Sequence, residues 1–230
     1  MRIDAVNEST CIVYFGDRIS DDTAALVRRA TESIRHDLAH LVTDLVPSYT
    51  SVMVCYNPNL TDRFGIAAQL RQTLARAPRT EQTESGVNTI ELPVFYHPDV
   101  GPDLDEVCRF SGLEHDEVIH IHSGQSYRVY AIGFSPGFAY LGITDPRIAL
   151  PRKSTPRQKV PTGSVGIAGS QTAIYPSATP GGWQIIGRTP SRMIDWDSDS
   201  LALVQVGDRV RFRAIDRQEF IALGGHLDEL

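Results

Sequence analysis

Seven basic side chains stand between Pro146 and Ile194: Arg147, Arg152, Lys153, Arg157, Lys159, Arg188 and Arg192. No aspartate or glutamate interrupts them, while the rest of the chain carries 15 basic residues against 28 acidic ones. A positive field confined to one segment of an acidic protein suits a small anion better than a long polyanion, which the remainder would repel. The other reading is a solvated basic face that pairs with carboxylates elsewhere in the chain. In "LPRKSTPRQKVP" the prolines keep the backbone extended and hold the cations of Arg152, Lys153, Arg157 and Lys159 apart. Arginine adds a two-pronged grip on carboxylate or phosphate. Tyr175 and Trp183 offer flat walls for the same site, and Gly181 and Gly182 in "PGGW" would let backbone approach a ligand closely.

Other patterns are weaker. "GSVGIAG" spaces Gly163, Gly166 and Gly169 as G-x-x-G-x-x-G, which is neither a P-loop nor a dinucleotide fingerprint. These glycines either expose main-chain N–H groups to an oxyanion or mark tight turns and barrel bends. "GFSPG" (Gly133–Gly137) matches the nucleophile elbow G-x-S-x-G, but Pro136, Gly137 and Gly142 deny it the helix that must follow Ser135. A turn lined by Phe134, Phe138 and Tyr140 is the better expectation. His120 and His122 in "VIHIHSG" would share a metal only on a strand; a helix points them apart, so no metal is expected and His122 is left as a substrate-positioning candidate. Cys11, Cys55 and Cys108 are widely spaced and fit neither a disulfide framework nor a thiolate zinc site.

The elements that must position these residues fall into two sets. "TCIVYF", a helix after Ser20 with Leu26, Ala30, Ile34 and Leu38 inward, "LVTDLV", "YTSVMVCY", a helix capped by Thr61 with Phe64, Ala67, Leu70 and Leu74 inward, and "NTIELPVFY" give the order β-α-β-β-α-β of a ferredoxin-like sandwich. Polar "RTEQTESG" (Arg79–Gly86) reads as a linker between a domain 1–86 and a domain 87–230. Beyond it come two short helices, around Asp103–Ser111 and Glu114–His122. Then follow many short strands punctuated by glycine and proline, the pattern of a closed β-barrel. Hydrophobic content of 41% and charged content of 22% are ordinary globular values. With no apolar run of about 18 residues and no apolar core at the N-terminus, the expected setting is soluble and cytoplasmic. A net charge of -6 gives no reason to expect nucleic acid.

Four stretches in order, "DLVPSYTSVMVCYNP", "GFSPGFAYLG", "LPRKSTPRQKVPTGSVGIAGSQTAIYP" and "TPGGWQIIGRTP", resemble the family that unites the B subunit of 5-oxoprolinase, the KipI kinase inhibitor and allophanate hydrolase subunit 1. The resemblance implies an N-terminal α/β domain followed by a cyclophilin-like β-barrel. It implies part of an enzyme that is active only with its partners: a cyclophilin-fold chain similar to allophanate hydrolase subunit 2 (the C subunit of 5-oxoprolinase) and the A subunit of 5-oxoprolinase. The implied reaction opens the lactam of 5-oxo-L-proline to L-glutamate with ATP cleavage, the ATP, with Mg2+, being bound together with the partner. Such chemistry needs cations and aimed N–H donors where negative charge develops. The expected anion-binding set is Arg152, Arg157, Lys159, Gly163, Ser164, Gln171, Tyr175, Gly181, Gly182, Trp183 and Arg188, walled by His122, Phe134, Phe138 and Tyr140. No general base is implied. The same resemblance leaves open a KipI-like inhibitor of a histidine kinase and a component of the allophanate hydrolase or urea carboxylase type.

Overall fold

The computed structural model describes residues 1–76, 88–198 and 201–227, and the expected linker Arg79–Gly86 lies outside them. Backbone contacts divide the chain into two units, Met1–Gly86 and Val87–Leu230.

The first unit holds strands β1 (Arg2–Asn7) and β2 (Thr10–Tyr14), helix α1 (Asp21–Asp37), strands β3 (Val42–Pro47) and β4 (Ser51–Tyr56), and helix α2 (Arg63–Arg76). The strands form an antiparallel sheet in the order β1-β2-β4-β3. The strand inventory differs from the βαββαβ expectation at both ends. β1 supplies the fourth strand, and the "NTIELPVFY" strand belongs to the second unit. β1 escapes a periodicity reading because it is an edge strand exposed on nearly every residue, so nothing selects alternating apolar side chains.

Ser20 caps α1, accepting from the Thr23 N–H at 3.2 Å, with Asp21 and Asp22 in the first turn favouring the helix dipole. The buried face of α1 is Val27, Ala30, Thr31 and Ile34, while Leu26 is exposed. In α2 the cap is Asp62 and not Thr61: its Oδ1 accepts from the N–H groups of Phe64 (3.0 Å) and Gly65 (2.7 Å). That one-residue shift turns Phe64 to solvent and Ile66, Leu70 and Thr73 inward. Val13, Val27, Ile34, Val52, Val54, Ile66 and Leu70 make this unit's core.

In the second unit β5 (Thr89–Phe95) is followed by helices α3 (Leu104–Ser111) and α4 (His115–Ser123). Strands β6 (Ser126–Ile132), β7 (Ala139–Gly142), β8 (Arg157–Val160), β9 (Ser164–Ala168), β10 (Gln171–Ile174), β11 (Thr179–Gly181), β12 (Gln184–Arg188) and β13 (Arg209–Ile215) come next, and helix α5 (Arg217–Ala222) ends the described fold. Seven strands close a barrel in the order β10-β7-β6-β13-β5-β12-β9, with β8 and β11 paired beside it. All the barrel pairs are antiparallel except β5 with β13. Closure removes free strand edges, which is why strands of four or five residues suffice. Leu92, Val94, Val129, Leu141, Val165, Ile167, Ile186, Val210 and Phe212 are among the residues of the main core.

"GFSPG" is the hairpin turn from β6 to β7. The Phe138 N–H donates to the Ser135 carbonyl, Phe134 and Gly137 both have left-handed φ, and no helix follows Ser135. His120 and His122 do part on α4, His120 to solvent and His122 into the barrel interior, where it is fully buried. Among the described residues no group of three or more His, Cys, Asp or Glu gathers as a metal site.

Candidate anion-binding cavity

The structure sorts the basic segment into separate environments. The first is an ion-pair cluster at the start of α3. The side chain of Asp103 is 3% exposed, and its Oδ1 accepts from Lys153 Nζ at 2.9 Å and Arg157 Nη2 at 2.7 Å. Its Oδ2 accepts from the Ile185 N–H at 2.7 Å, and Lys153 also reaches Glu106 at 2.8 Å. Burial pushes the Asp103 carboxyl up, but hydrogen bonds from Arg157, Lys153 and the Ile185 amide outweigh it and hold the group below its usual value. Two of the seven cations are therefore engaged by an internal carboxylate. Lys159 sits exposed on β8.

The second environment is aromatic. Phe138 packs edge-on against Phe134, Tyr140, Tyr175 and Trp183, with ring centroids 4.8–5.8 Å apart. The guanidinium of Arg152 lies 5.6 Å from the Trp183 ring centroid. Tyr175 and Trp183 are buried, and an added Cβ at Gly181 would collide with the Tyr175 ring. Gly181 is thus small because Tyr175 fills its space. Burial raises the Tyr175 phenol to about 12, against a hydrogen bond from the Trp183 amide and the field of Arg152. Gln171 opens β10, half-buried, opposite Gly142 and Ala168. Gly182 holds the basic strap in place through its carbonyl, which accepts from the Lys153 N–H at 2.7 Å.

The third environment is a cavity of about 500 Å³. Of the expected set, Gly163 and Arg188 line it. Its walls come from Pro136 in the β6–β7 turn, Thr162 and Gly163 before β9, Pro176 and Ser177 after β10, the run Arg188–Ile194 with Trp196, and the end of α5 with Gly224, Gly225 and His226. Among the described residues this lining contains two arginines and a histidine but no carboxylate. Arg188, 3% exposed, ends β12 and donates from Nη1 to the His226 carbonyl at 2.8 Å, fastening the segment after α5 over one side. Arg192 is exposed. Ser164, opposite Arg188 in the ladder, is fully buried and its hydroxyl makes no hydrogen bond among the described residues. His122 is not in this lining.

Arg192, Thr189, Ser191, Trp196 and Gly224–His226 of the "LGGH" stretch are among the lining residues that motif reasoning passed over. Arg192 was visible as the last cation of the basic segment. "LGGH" carried only a turn signal, Gly224 with φ of 87°.

Gly163 is needed for geometry. Its φ is 78°, and an added Cβ would run into the Thr189 carbonyl, whose own N–H donates to the Gly163 carbonyl at 2.9 Å. Gly163→Ala is expected to destabilise the protein by about 1–3 kcal/mol. Gly169→Ala, also at positive φ but with nothing within 4 Å of the new methyl, should cost only about 1 kcal/mol. Denaturant midpoints of the two variants measure the difference.

Residues 1–204 match the model of the carboxyltransferase domain, subdomain C and D. The chain belongs to this family. It is 36% identical to the B subunit of 5-oxoprolinase from Bacillus subtilis (strain 168), over 96% of this chain and 95% of that protein. Among solved structures, TTHA0988 superposes with a TM-score of 0.79 at 32% identity, covering 91% of this chain, which spans 40% of the TTHA0988 chain. The Kluyveromyces lactis urea amidolyase shares the fold, with a TM-score of 0.77 at 16% identity over 93% of this chain and 15% of that one. The family match ends before β13 and α5, so the Gly224–His226 wall of the cavity lies beyond it.

Proposed function

We propose that this chain is the B subunit of an ATP-dependent 5-oxoprolinase and that it works only in assembly with partner subunits. The observation that carries this reading is the end-to-end likeness to a relative named as the B subunit of 5-oxoprolinase, with 95% of that relative spanned. The cavity supports it physically. An amide carbonyl is a poor electrophile; phosphate transfer to its oxygen withdraws electron density from the carbon. One water then opens the ring and a second releases phosphate, leaving glutamate and ADP. Every stage places negative charge on oxygen, where preorganised cations and N–H donors are most effective. Arg188 and Arg192, in a lining with no carboxylate among its described residues, are suited to hold such charge.

The test is co-expression with a cyclophilin-fold partner and a third chain of the 5-oxoprolinase A type, followed by assay of 5-oxoproline-dependent ADP release. Activity should require all three chains. Arg192→Ala should lower kcat/KM at least about tenfold, about 1.4 kcal/mol of transition-state stabilisation. A stable complex with a histidine kinase and no turnover in any assembly would replace this reading with that of a regulator.

A further inference from the structure

We infer that the apolar rim of the cavity is the seat of a second polypeptide, the separate chain equivalent to the part of TTHA0988 that lies outside this fold. This rests on the proposed function, in which the chain works only in assembly, and adds which surface the partner covers. The placement of exposed apolar side chains argues first. Among the described residues of the second unit, eight large apolar side chains are exposed, and six of them stand on the cavity's wall segments or on the segment paired with them. Phe134, 66% exposed, comes two residues before Pro136; Trp196, 72% exposed, is itself a wall residue; Ile221 and Leu223 fall between Phe220 and Gly224. Leu201 and Leu203 flank Ala202, which bridges Ile194, and the Leu203 N–H donates to the Met193 carbonyl at 3.0 Å. The turn that carries Phe134 lies against the same segment, since an added Cβ at Gly137 would run into the Ile194 side chain. Apolar surface gathered in one region, and not scattered, marks an interaction site.

Backbone conformation argues second. Phe134 (φ 74°) and Leu201 (φ 53°) are the two non-glycine residues with left-handed φ among the described residues, and both belong to this rim. Glycine or asparagine fits that conformation far more easily. Phe134 meets the Phe138 ring edge-on, yet most of its surface stays in water. Bulky apolar side chains held in a strained conformation and turned to solvent destabilise the isolated chain, as residues shaped for a partner do. The occupant follows from how two relatives are built. This chain spans nearly all of the Bacillus subtilis B subunit but less than half of TTHA0988, so the same fold makes up one whole chain and only part of another. Within one chain the covalent link holds the two parts at high effective concentration; separate chains depend on the interface alone, whose centre is then apolar and rich in aromatic anchors. A partner seated on this rim also covers the mouth of the cavity.

The full chain is combined with a separate polypeptide whose sequence matches the remainder of TTHA0988, and the affinity of the pair is measured by calorimetry. Trp196→Ala and Phe134→Asn should each weaken it at least about tenfold, and Leu201→Asn should weaken it by roughly threefold or more. Asparagine tolerates left-handed φ and Trp196 is exposed, so all three variants should keep the parent's melting temperature. Phe110→Ala, an exposed aromatic on α3 outside the rim, should leave the affinity unchanged. Full affinity in both Trp196→Ala and Phe134→Asn, an equal loss in Phe110→Ala, or no association of the pair overturns the assignment. So does self-association of this chain alone, seen by analytical ultracentrifugation and abolished by the same variants, because the rim would then seat a second copy. If the three-chain assembly turns over 5-oxoproline and the rim variants bind the partner at full affinity, this surface falls and the proposed function stands. A pair held through the rim that gives no 5-oxoproline-dependent ADP release with the third chain shows the converse.

Discussion

Replacing Asp103 with alanine is expected to lower unfolding free energy by about 3–5 kcal/mol, enough to unfold a domain of ordinary stability under mild denaturant. The carboxylate accepts from three donors in distant parts of the second unit: Lys153 and Arg157 of the basic strap and the main-chain N–H of Ile185 on β12. Its own backbone N–H also donates to the Ile185 carbonyl at 2.9 Å. Removing it leaves a buried amide unpaired, Arg157 without this counter-charge and Lys153 beside it with only Glu106. The energy lost is chiefly the penalty of those orphaned groups, so Arg157→Met on the Asp103→Ala background should recover part of it. Urea denaturation of the wild type, both single variants and the double variant gives the coupling directly. If Asp103→Ala falls within about 1 kcal/mol of wild type, the cluster is a surface-type ion pair and its burial counts for nothing.

The Asp103 cluster also shows where sequence reasoning stopped. The excess of cations between Pro146 and Ile194 was legible, and so were both readings of it, an anion site and a face paired with internal acids. The structure bears out the second for part of the segment. Lys153 and Arg157 take the second, because an aspartate some fifty residues upstream is brought beneath them by the packing of α3 on β12. Arg188 and Arg192 border the cavity. No local pattern reveals which cation meets which carboxylate, since that depends on the barrel's closure. The strands of the barrel were readable from short apolar runs between glycines and prolines. β7, β8 and β11 were not, being three or four residues long with little side-chain alternation. α5 and the "LGGH" turn were missed because six residues give less than two helical turns of periodicity. They wall the cavity all the same.

His122 makes the second strong prediction: stability should fall by about 1.4 kcal/mol for each pH unit below 6.5, down to about pH 3. The imidazole is fully buried, stacked on Phe212 with centroids 4.7 Å apart, and burial lowers its pKa from 6.5 to about 3. Its neighbours fix the tautomer. Thr172 donates its hydroxyl hydrogen to the Gly166 carbonyl at 3.0 Å, so it accepts from His122 Nε2–H at 2.9 Å. Nδ1 is then the acceptor for the Tyr96 hydroxyl at 2.8 Å. The unfolded chain protonates this imidazole below pH 6.5 and the folded chain does not, so the unfolded state binds more protons across that window and stability rises with pH. Asp103 has a depressed pKa and loses its contribution only as pH falls below the usual carboxylate value of 3.8, so the two groups separate along the pH axis. His122→Gln keeps a donor and an acceptor for Thr172 and Tyr96 but cannot titrate; its stability, lower at neutral pH, should be nearly flat between about pH 6 and pH 4.5 where the wild type slopes. An NMR titration supplies a check independent of unfolding: the His122 ring resonances should not move between about pH 7 and pH 5. His122 ring resonances that move between about pH 7 and pH 5 would mean that the barrel interior opens to water near neutral pH, and a dry, hydrogen-bonded core around this imidazole would have to be abandoned.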